Sequence, residues 1–267
     1  MKPDKILVLS DPFVEVGCLH FSLALSPFAK EGIEIRRITS GFITSGELLE
    51  HPNSVLVLPG SGDGDGYRQS MNGTGFQNER LFLEAGGRSL RICAAAYMAY
   101  ESYGFHDKRY DNSLSFLFRG HAHGPISELY HPERPWRTLL DTHDIAMLDH
   151  YRADGSVVMA ASAYSAGPRL PETENAHIIA RFRDARDTTP AVLASQVGEG
   201  LSVVSSVALE INGAFVAKNL RPQTPHHIAM QGYAESLAEY EPERSGLWHD
   251  VWENYLLADT PVLQTAS

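Results

Sequence analysis

Residues 91–100 read RICAAAYMAY. The apolar run SLRIC (89–93) ends in one of only two cysteines in the chain, and three alanines and a tyrosine follow at once. The pattern predicts a β-strand that turns sharply into a helix. At such an elbow the apex residue takes a strained backbone conformation, and its side chain projects above the sheet. Small residues must follow, because the helix packs closely on the strand; Ala94, Ala95 and Ala96 meet that need. Cys93 is thus placed like an activated nucleophile, with the first helical N–H groups and the helix dipole favouring its thiolate. A buried structural cysteine is the competing reading of the same residues.

Outward from the elbow, short apolar runs alternate with helical patterns. KILVLSD (5–11), IEIRRIT (33–39), SVLVLPG (54–60) and SLRIC read as strands. Helices are expected around 18–30, 44–51, 78–87 and 94–103. Strands alternating with helices imply βαβ units, a parallel sheet and helices on both faces. Ligands in such sheets bind beyond the carboxyl ends of the strands, where Asp11, Gly60 and Cys93 fall. The later runs, among them LSFLFRGHAHGPI (114–126), SVVMAASAYSAG (156–167) and LSVVSSVALEI (201–211), read as strands with short turns, several of them antiparallel. Residues 227–240 and 244–257 read as amphipathic helices. The expected division is a domain over 1–212 and a helical extension over 213–267 packed on it.

Composition narrows the function classes. The formal charge of −11 offers no basic surface for a nucleic acid or an anionic membrane. Two cysteines cannot build a disulfide framework. No stretch approaches the ~20 apolar residues of a membrane span, and the first residues lack a secretory h-region. The expectation is a cytoplasmic protein.

The third strand runs into LPGSGDGDG (58–66), whose glycines let backbone N–H groups face the space above Cys93. Gly60 or Ser61, with the Ala94 N–H, would form an oxyanion hole. A dinucleotide fingerprint fails, because Asp65 and Tyr67 stand where glycine is needed, and Asp63 and Asp65 repel phosphate. A calcium loop lacks its remaining ligand spacing. No cofactor is expected.

The stretch VLPGSGDGDGYRQSMNGTGFQNERLFLEAGGRSLRICAAAYMAYES (57–102) resembles the N-terminal domain of biotin-protein ligases and its stand-alone relatives, within the class I glutamine amidotransferase-like superfamily. The shared features are a Pro-Gly after a strand, an Asn-Gly-x-Gly before a helix, EAGG, and a CAGAY-like elbow. FLFRGHAHGP, HIIARF and PAVLASQVGEGLSVVSS extend the resemblance over roughly 5–212. It implies an α/β flavodoxin-like three-layer fold with a mainly parallel central sheet, extra strands and the C-terminal helical extension. It also implies a cysteine nucleophile with Tyr97 at the elbow's tyrosine position. In active amidotransferases of the superfamily a His-Pro-Glu element follows the last strand, the histidine taking the thiol proton and the glutamate orienting the histidine. Here the matching stretch is SSVALEI (205–211). Glu210 matches the glutamate, Ala208 stands in place of the histidine and Leu209 in place of the proline. Alanine accepts no proton, so ordinary glutaminase chemistry is not expected. The biotin-ligating catalytic domain and its adenylate-binding loop are absent from the sequence, so the chain is not expected to be a biotin ligase.

Other groups compete to tune Cys93. His121 and His123, two apart on a strand, point to one face and would serve as a base or begin a metal site; two histidines on a half-exposed strand are the plainer reading. No metal site is expected. Glu15 lies shortly after the first strand, where a related group of the superfamily places a glutamate that hydrogen-bonds the cysteine. Cys18 reads as helix packing, and Trp248 and Trp252, one turn apart, as a docking face. Two functions remain: a domain that has lost glutaminase chemistry and binds a small molecule or a protein partner, or a cysteine-dependent amidase, hydrolase or thiol-redox enzyme using another base.

Overall fold

The computed structural model describes residues 2–60, 64–112, 116–129, 143–173, 175–185, 187–219 and 225–263. The strands are β1 (Lys5–Leu9), β2 (Glu34–Ile38), β3 (Ser54–Leu58), β4 (Arg88–Ile92), β5 (Tyr100–Phe105), β6 (Lys108–Asp111), β7 (Phe118–Gly124), β8 (His143–Tyr151), β9 (Val157–Ser165), β10 (Ala176–Phe182), β11 (Pro190–Val197) and β12 (Gly200–Ser205). The helices are α1 (Glu15–Ala24), α2 (Ser26–Lys30), α3 (Ser40–Thr44), α4 (Gly64–Glu84), α5 (Ala94–Tyr97), α6 (Gly213–Asn219), α7 (Pro225–Ala238) and α8 (Glu241–Asp250), the last continuing into a π-helical stretch, Val251–Leu256. None is long and apolar enough to cross a membrane.

The result is a mixed α/β protein with one large sheet, in the order β2-β1-β3-β4-β12-β11-β10-β8-β9, and a small one, β6-β5-β7. Pairing is parallel from β2 through β12 and antiparallel beyond it. The expectation of a mainly parallel sheet therefore holds for one half only. Hairpin connections explain the other half. Only Gly198 and Glu199 separate β11 from β12, and a parallel pair needs a crossover of a dozen residues or more.

The central strands are buried on both faces, and alternate side chains enter two cores. Ile6, Val8, Val55, Val57 and Leu90 pack with Phe21, Phe28, Trp248 and Trp252; Leu7, Leu9, Leu56 and Leu58 pack with Phe42, Met71 and Phe82. Trp248 and Trp252 dock as their spacing implies, against Phe21 and Phe28. Arg88 of β4 donates to the carbonyls of Tyr255 and Leu256 at 3.0 Å each, and His150 of β8 meets Asp250 at 2.7 Å. The C-terminal helices thus complete the first core.

The helix expected over 94–103 is a correction. Only one turn forms, Ala94–Tyr97, and the chain then enters β5. The run YESYGF is rich in β-favouring aromatics, and pairing with β6 and β7 captures it.

Candidate active site

Cys93 occupies the apex of the elbow at φ 51°, ψ −105°, a left-handed conformation that a non-glycine residue adopts only when its surroundings impose it. Those surroundings are on both sides. The Cys93 N–H donates to the Ser205 carbonyl of β12 at 2.9 Å, and the Ala96 N–H returns to the Cys93 carbonyl at 3.0 Å. Beneath it, Arg91 and Glu79 form a fully buried pair, with Nε at 2.8 Å and Nη2 at 2.5 Å from the carboxylate oxygens. Arg91 also reaches the Ala95 carbonyl at 3.4 Å, so one side chain ties the strand before the apex to the turn after it.

Gly60 packs directly on this elbow. A Cβ added to it would lie 3.3 Å from the Cys93 Cβ, and one added to Gly17 of α1 would lie 2.4 Å from the Gly60 carbonyl oxygen. The ends of β3 and β4 and the start of α1 therefore meet at one point, as the carboxyl-end rule requires. Asp11 accepts the Ser40 N–H there with both carboxylate oxygens at 3.2 Å. Ser61 lies outside the described residues, as does the Glu15 side chain; the Glu15 backbone opens α1.

The thiol is half-buried and donates to the Ser165 carbonyl at 3.0 Å. Burial pushes it up to about 12; the Glu210 charge adds to the rise, and the Ala94 N–H draws it partly back. Cys93 is therefore a neutral hydrogen-bond donor near pH 7. The helix after the apex is one turn long, so its dipole adds little beyond the Ala94 N–H.

Sequence reasoning missed the strap that receives the thiol, Ser165-Ala166-Gly167 at the end of β9. Ala166 sits at φ 62°. Its carbonyl accepts the Tyr97 hydroxyl at 2.7 Å, and a Cβ on Gly167 would lie 1.8 Å from the Ser206 carbonyl oxygen. Tyr97 is buried under the elbow, and Gly124 of β7 leaves room for its hydroxyl, since a Cβ there would fall 2.0 Å from that oxygen. Tyr97 thus positions the strap.

The opposite wall follows β12. The Ala208 N–H donates to the Ala163 carbonyl at 2.8 Å, and the Ser162 hydroxyl donates to the Ala208 carbonyl at 3.3 Å. Ala208 and Cys93 are consequently anchored two residues apart on β9, a span of about 7 Å. Glu210 is buried, and burial pushes its carboxyl up to about 8, against a smaller opposing pull from its own backbone N–H and from Arg244. Arg244 is otherwise engaged, by Glu241 at 2.9 and 2.5 Å and by the Leu209 carbonyl at 2.6 Å. Among the described residues the Glu210 Oε2 and the Ser206 hydroxyl have no hydrogen-bond partner.

The histidines are elsewhere. Along β7, Ala122 and Gly124 point inwards, whereas His121 and His123 lie on the exposed face with their rings 6.1 Å apart. His121 pairs with the Ser102 hydroxyl at 2.9 Å. Strand alternation carries both imidazoles away from the Tyr97 side, so the structure does not bring them to Cys93. Among the described residues no group of three or more His, Cys, Asp or Glu is arranged to hold a metal ion.

The chain matches a known family. The family model described as biotin-protein ligase, N terminal, covers residues 5–260. The chain belongs to this family. The match runs through the C-terminal helices, past the boundary expected at 212. A family-wide biotin-ligase name does not supply this chain with a ligase site. A relative from Chlamydia muridarum (strain MoPn / Nigg), described as an uncharacterized protein, is 24% identical over 234 residues, covering 79% of this chain and 82% of its own. Among solved structures, the exo-beta-1,4-mannosidase Op5Man5 from Opitutaceae bacterium strain TAV5 superposes with a TM-score of 0.44 at 10% identity, over 97% of this chain and 37% of that one. Cytoplasmic Protein STM3548 from Salmonella typhimurium gives 0.44 at 8% identity, over 77% and 87%. The chain spans about a third of the length of the glycosidase structures it matches.

Proposed function

We propose that this member of the family is an amidotransferase-like protein that binds a small molecule at the elbow and does not hydrolyse glutamine. In this reading the parallel half is a flavodoxin-like, three-layer body, and the former nucleophile serves as a donor that helps orient a ligand. One observation carries it: the Cys93 thiol is held neutral against the Ser165 carbonyl while Ala208 stands where a proton acceptor is required. A thiol attacks as its thiolate, and among the described residues the hydrogen-bond partner of this one is a backbone carbonyl, which takes no proton. The unbridged Cys18 and Cys93 suit a reducing, cytoplasmic setting.

A second reading, a cysteine-dependent hydrolase or amidase, is favoured by the strained apex, which keeps a half-buried thiol at the strand end. Iodoacetamide labelling of Cys93 across pH, with a glutaminase assay beside it, separates the two. The binding reading expects a rate that is still climbing at about pH 10 and no ammonia released from glutamine. A plateau below about pH 8.5, or turnover of glutamine or an activated ester that Cys93→Ser abolishes, makes the protein an enzyme.

A further inference from the structure

His121 and His123 share more than a face. β7 pairs with β5 in parallel, which sets His121 beside Ser102 and His123 beside Gly104. Gly104 carries no side chain, and both imidazoles lean over it: a Cβ built there would lie 2.5 Å from His123 Nδ1 and 3.2 Å from His121 Nε2. One ring nitrogen from each histidine thus approaches the same point of β5. Ser102 engages the other His121 nitrogen, Nδ1, at 2.9 Å, which orients the ring and leaves Nε2 for a ligand. Metal-binding histidines are held in this way, by a hydrogen bond at the nitrogen that the metal does not use. The backbone is fixed on both edges of β7, since His123 also bridges Arg169, whose N–H donates to the His123 carbonyl at 2.7 Å. Both imidazoles are exposed, so solvent ions reach them. The charges around them are few. β6 sets Arg109 opposite Gly104 and Asp111 opposite Ser102, and cross-strand partners share a face. Arg109 acts on His121 as a like charge. Arg169 is paired with Glu128 and Asp187.

We propose that His121 Nε2 and His123 Nδ1 chelate a divalent transition-metal ion of the nickel, copper or zinc type, with water in its remaining positions. Imidazole nitrogen suits these ions, whereas magnesium and calcium demand oxygen ligands. Each nitrogen must come within ~2.0–2.1 Å of the ion. Exposed rings reach that distance by side-chain rotation, because Gly104 puts nothing between them. The His-x-His spacing alone suited a plain half-exposed pair equally well. The glycine beside His123 and the serine beside His121 are what the fold adds. The inference does not depend on the reading of the elbow, since the Tyr97 hydroxyl lies against Gly124, on the inward side of β7.

Nickel chloride is the probe, titrated calorimetrically into the untagged full-length protein, with magnesium chloride as the control. Wild type should show a saturable nickel site that magnesium does not fill. His121→Ala and His123→Ala should each weaken it by about tenfold or more, and the double variant should lose it. Gly104→Ala keeps both histidines but puts a methyl group where their nitrogens meet, and it should weaken binding too. Arg109→Ala should strengthen binding by removing a like charge. Circular dichroism checks each fold; should Gly104→Ala not fold, the histidine variants, which alter exposed side chains, decide alone. Absence of saturable nickel binding, or binding that survives in the double histidine variant, overturns the proposal. Weaker nickel binding by Arg109→Ala overturns it as well. Saturable binding of sodium phosphate, without nickel binding and lost in Arg109→Ala, would make this face an anion site instead.

Discussion

Glu79 and Glu210 are both buried glutamates next to the same elbow, and their surroundings are opposites. Glu79, on α4, faces Arg91 with two hydrogen bonds, and that arginine braces the turn after Cys93. Glu210, beyond β12, keeps an oxygen with no hydrogen-bond partner among the described residues. The carboxylate beneath the cysteine is paired through both oxygens, and the one beyond β12 is not. A strained apex therefore certifies only that packing imposes the conformation. Catalysis needs a proton acceptor as well, and among the described residues the thiol's hydrogen-bond partner is only a backbone carbonyl.

The largest effect expected from breaking this contrast is at Glu79. Glu79→Ala leaves the Arg91 charge buried and alone, a loss of about 3–5 kcal/mol for a buried pair. Denaturant unfolding should show it, and Cys93 should alkylate faster as its turn loosens. A loss below about 1 kcal/mol would mean that the pair does not hold the elbow.

Glu210→Gln should act in the other direction, with a sign set by pH. The carboxyl ionises near its ordinary 4.5 when unfolded and only near 8 when folded. Below that window both states are protonated, and the group contributes nothing. Rising pH ionises the unfolded state first, so the wild type loses stability through the window and reaches its full loss above it. Glutamine cannot ionise. The variant should match wild type near about pH 4 and exceed it by a few kcal/mol near about pH 8, as read from unfolding midpoints at each pH. A constant difference across pH would place Glu210 in a wetter setting than its 3% exposure indicates.

These two glutamates also mark how far the sequence could be read. The elbow was legible because its signal is local: an apolar strand, a cysteine and three alanines in succession. Glu210 and Ala208 were singled out only through the family resemblance, which implies a His-Pro-Glu element at 208–210. The strap was not. Ala166 adopts a left-handed backbone without the glycine that announces one, and the strap's partners are distant in sequence, Cys93 lying 72 residues from Ser165 and Tyr97 69 from Ala166. The pairing direction of β8 to β11 was only half visible, since short turns signal hairpins but not where the hairpins join the sheet. The helix expected past Tyr97 failed for a tertiary reason, the capture of β5 by a second sheet. For His121 and His123 the shared face was legible, but which side of the sheet it turned to was fixed by Tyr97 filling the other.

The smallest expected effects are at the cysteine itself, and they bear on what the sulfur contributes. Serine keeps a donor for the Ser165 carbonyl, so Cys93→Ser should unfold within about 1 kcal/mol of wild type. Cys93→Ala removes the donor and leaves that carbonyl short of a partner, for a loss nearer 1–3 kcal/mol. The interval between the two variants measures the hydrogen bond, because both keep a Cβ at the strained apex. Equal and large losses would show that sulfur packing dominates, making Cys93 a structural cysteine and the elbow a fold element alone. Serine close to wild type with alanine clearly below it would show that the apex serves as a donor, the role left to a thiol whose proton has nowhere to go.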